Sequence, residues 1–427
     1  MSRSEGYPLR YAITTFGCRV NQADSLQLDM QLRARGAIPV PLHEADVVIV
    51  NSCSVTATAD QGARQAVRRV GRLNPGARIV ATGCYATRAE EEIRALPGAP
   101  EVIANKEKHA IVDHILPRIE TTAERFGGGA GPCGSLATPA AIGRVAFMLR
   151  VQTGCDEQCA YCIIPSTRGR GRSLEPSRVV GAVSHAVDCG FREIVLTGVH
   201  LGSYGEDLSS PTTLVALLRS LERHPSDVTF RISSLEPMDC PLELVELVVK
   251  SGRFAPHFHL PLQHASSTIL KRMRRPYALE DYRRVVNSIR EQLPHASIGS
   301  DLIAGFPGER DEDAQLNIDY VSASPLTYLH VFPYSPRTGT EASRLTGRVA
   351  GPLVRDRARA LRAVGVSLSR RFHQTQVGTV RPGLTLEGSN VVVTDNYLKV
   401  AIPAVRDGNQ RVNVRITEAE PLVGVIQ

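Results

Sequence analysis

The stretch 145–162, VAFMLRVQTGCDEQCAYC, runs from an apolar, β-branched segment through a glycine into three cysteines within eight residues. Its first part, 145–152, reads as a strand, and five more strand candidates follow at 193–197, 228–233, 257–262, 297–304 and 328–333. Helical spacing fills the intervals, at 176–189, 212–221, 242–249 and 279–292. Strands alternating with helices predict a parallel sheet. Six such units are too few for an eight-fold barrel, so a partial barrel or open sheet is expected over 144–376.

The same alternation precedes this region. Residues 11–15, 47–50 and 78–82 read as strands and 25–35 and 60–73 as helices, which predicts an open parallel α/β domain over 8–125. The glycine-rich run 126–134 predicts a linker spanning 126–143. After residue 376 the pattern changes to short alternating runs at 390–393, 397–402 and 410–417, separated by Gly, Asn and Asp. A small antiparallel barrel over 377–427 is expected there. The fold class is therefore α/β with a small all-β tail, and a length of 427 residues fits two or three domains.

No apolar run reaches the roughly 18 residues that cross a bilayer. The opening MSRSEGYPLR lacks the apolar stretch of a signal peptide, so a cytoplasmic protein without membrane contact is expected. Nine cysteines in a reducing compartment point to ligands or buried thiols rather than disulfides. The absence of Trp and an aromatic content of 5% argue against a carbohydrate platform or a bank of base-stacking rings. Charge is concentrated: 342–376 carries eight arginines against one aspartate, a local +7 that equals the surplus of the whole chain. Such a helix is either a polyanion footprint or a solvated face.

Cys155, Cys159 and Cys162 can converge on one compact object. A zinc site needs a fourth ligand, such as a distant His. An iron–sulfur cluster held by three thiolates keeps one iron open. Cys18, Cys53 and Cys84 each follow a predicted strand within about three residues, and the carboxyl ends of parallel strands meet along one edge. Topology would gather these three thiols as well, with Gly17 and Gly83 permitting close turns. Cys133, Cys189 and Cys240 lack partner spacing and read as structural, with Cys133 the oxidisable one.

The Cys155–Cys162 triplet with Ile163-Ile164-Pro165 and Arg168-Gly169-Arg170 resembles the radical S-adenosylmethionine methylthiotransferases. So do Thr15-Phe16-Gly17-Cys18-Arg19-Val20-Asn21-Gln22, Asn51-Ser52-Cys53-Ser54-Val55-Thr56 and Thr82-Gly83-Cys84-Tyr85. His259-Leu260-Pro261-Leu262-Gln263, Lys271-Arg272-Met273-Arg274-Arg275, Asp301-Leu302-Ile303-Ala304-Gly305-Phe306-Pro307-Gly308-Glu309 and Phe332-Pro333-Tyr334-Ser335-Pro336-Arg337 extend the likeness through the centre. The tail is similar to a TRAM domain, a small RNA-binding β-barrel. One departure is Gln263-His264-Ala265-Ser266, where the family has a Gln-Ser-Gly-Ser turn; His264 reads as a surface or packing histidine. Cys18-Arg-Val-Asn-Gln and Arg231-Ile-Ser-Ser-Leu-Glu-Pro237 look most like the branch acting on N6-threonylcarbamoyladenosine beside the anticodon of tRNA.

The resemblance implies a radical S-adenosylmethionine barrel at the centre and two [4Fe-4S] clusters, one on Cys155, Cys159 and Cys162 and one on Cys18, Cys53 and Cys84. It implies S-adenosylmethionine as source of a 5′-deoxyadenosyl radical and of the methyl group, and the second cluster as sulfur carrier. Beyond the cluster ligands no catalytic side chain is expected. Gly198, Ser233 and Asp301, at or near strand ends, are the candidates for holding the cosubstrate. Arg355, Arg359 and Arg362 on the basic helix, with Lys271 and Arg272, are the candidates for tRNA, joined by Arg275, Arg168, Arg170 and Arg172. An electron donor such as flavodoxin or ferredoxin and a sulfur source are implied partners. Isopentenyladenosine in tRNA and a ribosomal-protein aspartate are the alternative substrates, and a zinc-bound, non-enzymatic RNA-binding protein is the alternative outside enzymes.

Overall fold

The computed structural model describes residues 8–116 and 145–427. The expected linker 126–143, with Cys133, lies outside the described residues. The chain divides into two compact units, one comprising Met1–Ala137 with Ile163–Gly169 and the other Thr138–Cys162 with Arg170–Gln427.

In the first unit, β1 (Arg10–Thr15), β2 (Ile38–Pro39), β3 (Val47–Ser52), β4 (Arg78–Gly83) and β5 (Glu101–Val102) form one parallel sheet in the order β2-β1-β3-β4-β5. The apolar run of β3 is buried along its whole length, as expected for a parallel strand covered on both faces. Val48 and Val50 pack with Val67 and Val70 of the helix Ala57–Leu73, while Val47 and Ile49 pack with Leu28 and Leu32 of the helix Arg19–Ala34. Thr56 starts the former helix by accepting the Ala59 N–H at 3.1 Å. The two-residue edge strands β2 and β5 were not anticipated; they are too short to show alternation.

The second unit contains β6 (Ala146–Arg150), a short antiparallel pair β7 (Gln152–Thr153) and β8 (Arg172–Ser173), then β9 (Glu193–Thr197), β10 (Thr229–Ile232), β11 (His257–His259), β12 (Ser297–Ala304) and β13 (Tyr328–Pro333). β10-β9-β6 and β11-β12-β13 are parallel three-stranded sheets, and a parallel bridge between Phe230 and Phe254 links their neighbouring edges. Six parallel strands in chain order make the partial barrel that the alternation predicted. β11 is shorter than expected because the Leu262 N–H, the next to face β12, donates to the Ser300 hydroxyl at 3.0 Å and not to a backbone carbonyl.

The tail closes into a barrel of β14 (Val380–Thr385), β15 (Ser389–Thr394), β16 (Lys399–Arg406), β17 (Arg411–Ala419) and β18 (Leu422–Ile426), in the order β14-β15-β16-β18-β17. It differs from the antiparallel expectation at one seam: β16 and β18 run parallel where Ala401 meets Val423. Five strands cannot alternate direction around a closed ring, so one parallel contact is unavoidable. The helix Gly351–Gln376 contributes Phe372 to the barrel core beside Val392, Val400, Val414 and Ile416.

A fully buried arginine fastens barrel to sheet. Arg231 of β10 donates to both carboxylate oxygens of Glu193 at 3.0 and 2.9 Å and to the Asp395 carbonyl at 2.8 Å, beneath the Tyr397 ring. Replacing Arg231 with Met is expected to cost about 3–5 kcal/mol in urea unfolding, because Glu193 would be left as a buried, unpaired charge. A simultaneous Glu193→Gln change should recover part of that loss. Among the described residues, no helix is long and apolar enough to cross a membrane.

Candidate metal centres

The register of the first sheet brings three cysteine loops together. Thr15 pairs with Asn51 and Ser52 with Gly83, so Cys18, Cys53 and Cys84 leave the carboxyl ends of the adjacent strands β1, β3 and β4. Asn21 ties the first two loops by donating to the Phe16 and Ser52 carbonyls at 2.9 and 2.8 Å. Ser52 ties the last two: its hydroxyl donates to the Thr82 carbonyl at 2.6 Å and accepts the Ala86 N–H at 3.0 Å. Gly17 and Gly83 take φ of +91° and +97°, the left-handed region that side chains avoid. All three thiols are unbridged, Cys18 exposed and Cys53 and Cys84 buried.

Charge around this trio is fixed from within the unit. Arg168, on the short helix Ile164–Arg168, donates to Asn21 Oδ1 at 2.5 Å and Asp24 at 3.1 Å. Lys108 donates to Asp24 at 2.9 Å and to Asn51 at 3.1 Å. Two buried cations thus face one buried carboxylate, a surplus of positive charge beside the thiols that favours an anionic ligand set. A hydrogen bond from the Cys53 thiol lowers the Cys18 pKa, against burial and with help from Arg168, while the same bond and burial push Cys53 up. In iron-free protein, Cys18 is therefore the more acidic thiol of the pair. Iodoacetamide should alkylate Cys18 ahead of Cys53, with a rate that falls as the pH is lowered, and peptide mapping after a short pulse checks it.

The second trio occupies the loop after β7. Cys155, Cys159 and Cys162 are half-buried and unbridged. Gln152 anchors the loop: its side chain donates to the Gly154 carbonyl at 3.0 Å and accepts the N–H groups of Val199 and His200 at 3.0 and 2.9 Å. Arg275 Nη1 lies 3.1 Å from Cys159 Sγ. His200 lies in hydrogen-bonding reach of Cys155 and pairs with Asp239 at 2.7 Å; although burial opposes it, Asp239 and Cys155 raise its pKa to about 10.

The other expected site residues divide. Gly198, just after β9, packs tightly, since a Cβ there would sit 3.1 Å from the Gln152 side chain. Ser233, just after β10, has a buried hydroxyl with no partner among the described residues, as a ligand-facing group would. Asp301 of β12 instead accepts from His259 and His330 at 2.9 and 3.1 Å, and against burial these imidazoles hold its carboxyl well below the usual range. Arg355, Arg359, Arg362 and Lys271 are exposed. The Arg272 guanidinium is engaged with the Pro307 and Thr346 carbonyls at 3.0 and 3.2 Å.

Two expectations need correction. Arg168 and Arg275 are buried beside cysteines, not set out for RNA, because Asp24 and Glu236 pay their desolvation. Their partners lie 144 and 39 residues away, so local sequence carries no sign of it. His264 is fully buried and accepts the Ser266 N–H at 2.9 Å, which makes it the packing histidine of the two expected readings. Cys189 and Cys240 are buried.

Residues 10–104 match the family described as uncharacterized protein family UPF0004, and residues 149–321 match the radical SAM superfamily. The chain is 34% identical over 410 residues to the threonylcarbamoyladenosine tRNA methylthiotransferase MtaB of Bacillus subtilis, covering 93% of this chain and 91% of that one. It is 31% identical to the tRNA-2-methylthio-N(6)-dimethylallyladenosine synthase of Pelotomaculum thermopropionicum, covering 86% and 85%. Among solved structures, the fold is similar to the radical S-adenosylmethionine methyltransferase TsrM of Kitasatospora setae, with a TM-score of 0.55 at 16% identity, covering 78% and 77%.

Proposed function

Because this chain belongs to the radical S-adenosylmethionine methylthiotransferase family, we propose that it places a methylthio group on carbon 2 of N6-threonylcarbamoyladenosine beside the anticodon of tRNA. The observation that carries this reading is the pair of unbridged cysteine trios, one beyond the carboxyl ends of the parallel strands β1, β3 and β4 and the other on the single loop after β7. Three thiolates on one site suit a [4Fe-4S] cluster with one iron left for a ligand. The superfamily implies such a cluster with S-adenosylmethionine, for which Cys155, Cys159 and Cys162 are the proposed ligands. Bound there, the cofactors supply the one-electron cleavage that removes the unactivated carbon-2 hydrogen. A second cluster on Cys18, Cys53 and Cys84 is the proposed sulfur carrier.

The chain's own side chains bind and orient. Gln152 holds the loop of the second trio against the end of β9. The unpartnered Ser233 hydroxyl and the close-packed Gly198 are proposed to meet the cosubstrate. Residues 8–125, 144–376 and 377–427 are proposed as the sulfur-carrier, radical and RNA-binding segments. A reduced flavodoxin or ferredoxin, a sulfur source and a cytoplasmic location complete the proposal.

For tRNA, phosphate attraction falls to the exposed Arg355, Arg359 and Arg362, with Lys271, since the tail barrel balances five basic residues against five acidic ones. Changing the three arginines to Ala should weaken tRNA binding and reduce its log–log salt slope by about three. Filter binding across a salt series measures both, and an unaltered slope removes the helix from the RNA surface. Mass spectrometry of tRNA nucleosides with and without the gene tests the function. The 2-methylthio derivative of N6-threonylcarbamoyladenosine should vanish. Loss of the isopentenyl derivative instead would reassign the substrate, and an unchanged nucleoside profile would overturn the proposal.

A further inference from the structure

Arg275 is held in one orientation by three sides of its guanidinium. Nε donates to the Tyr277 hydroxyl at 3.1 Å, Nη2 pairs with Glu236, and Nη1 points at Cys159 Sγ at 3.1 Å. Tyr277 is itself fixed, donating to the Pro261 and Leu262 carbonyls at 2.9 Å, and its ring lies 4.9 Å below the guanidinium carbon. The Arg275 side chain is 2% exposed. Water therefore does not compete for the Nη1 donor, and the side chain has no freedom to turn it elsewhere.

We propose that Arg275 is a positioning residue that donates an N–H···S hydrogen bond to the Cys159 thiolate and thereby raises the reduction potential of the cluster on this loop. The inference rests on the reading of Cys155, Cys159 and Cys162 as cluster ligands. Adding one electron to a cluster increases the negative charge on its sulfurs. A fixed N–H donor on a cation then stabilises the reduced form more than the oxidised one, and hydrogen bonds to the sulfurs are a recognised determinant of cluster potential. Glu236 pairs with the far side of the guanidinium, which leaves the directed N–H as the contribution that reaches the sulfur.

The test uses the full chain, reconstituted anaerobically with Cys53→Ala to silence the first trio, and follows the reduced-cluster paramagnetic signal in a redox titration. Arg275→Gln is expected to hold the same iron as its parent yet shift the reduction equilibrium about tenfold toward the oxidised form, 59 mV for one electron. Arg275→Lys, which keeps the charge but lacks the fork, should fall between the two. An unmoved potential in an iron-loaded Arg275→Gln protein overturns the inference. If that variant fails to retain iron, the Lys variant decides by the same criterion. A parent protein without iron on Cys155, Cys159 and Cys162 would instead sink the underlying assignment, so the two failures are distinguishable.

Discussion

Cys159→Ala abolishes both formation of 5′-deoxyadenosine and tRNA methylthiolation, whereas Cys53→Ala abolishes methylthiolation while 5′-deoxyadenosine continues to form; this is the expected result of assaying the two variants side by side. The expectation follows from where the thiols sit. Cys53 belongs to the first unit and leaves β3, whereas Cys159 lies on the loop of the second unit that Gln152 and Arg275 hold. Losing one thiolate from a set of three leaves too few to retain a four-iron cluster, so each variant removes one function wholly. Anaerobic assays with dithionite, quantifying 5′-deoxyadenosine and modified nucleoside by mass spectrometry, separate the outcomes. Loss of 5′-deoxyadenosine in Cys53→Ala would show that the first trio also serves cosubstrate cleavage.

A single methyl group should have nearly as large an effect. In Gly17→Ala the new Cβ would fall 2.2 Å from Cys53 Cβ and 2.3 Å from its Sγ, at a φ of +91°. Backbone strain of this kind costs about 1–3 kcal/mol. The collision moves Cys53 off the position that the β1–β3 register gives it, so iron should drop from about eight to about four per chain. The Gly83→Ala change is worse placed still, with its Cβ 2.0 Å from the Ser52 carbonyl oxygen. Iron analysis together with circular dichroism distinguishes cluster loss from unfolding. A folded Gly17→Ala protein with its full iron would take Cys53 out of the ligand set.

Most of the architecture was legible because it depends on local pattern. The alternation of apolar strands and helices located β1, β3 and β4, and the six strands of the partial barrel, to within a few residues. The convergence of Cys18, Cys53 and Cys84 followed from topology alone, since parallel strands deliver their carboxyl ends to one edge. Other features had no local signature. Arg168 and Arg275 look like any basic residue in a basic run until Asp24 and Glu236 are seen to neutralise them in the interior. The Asp301 carboxylate looked free for a ligand until His259 and His330 were found on it. The Arg231–Glu193 pair was equally hidden, because it joins β9 and β10 to a tail loop whose Asp395 lies 164 residues beyond Arg231.

Those bonds from Arg231 to the tail give the last step its shape. With Phe372 inside the barrel and Asp395 held by the sheet, the tail cannot wander like a bead on a string. It behaves as the fixed jaw of a caliper. If the tail binds RNA as proposed, that RNA would be offered to the strand ends at one set reach, and choosing a nucleotide would become a matter of measured length instead of search.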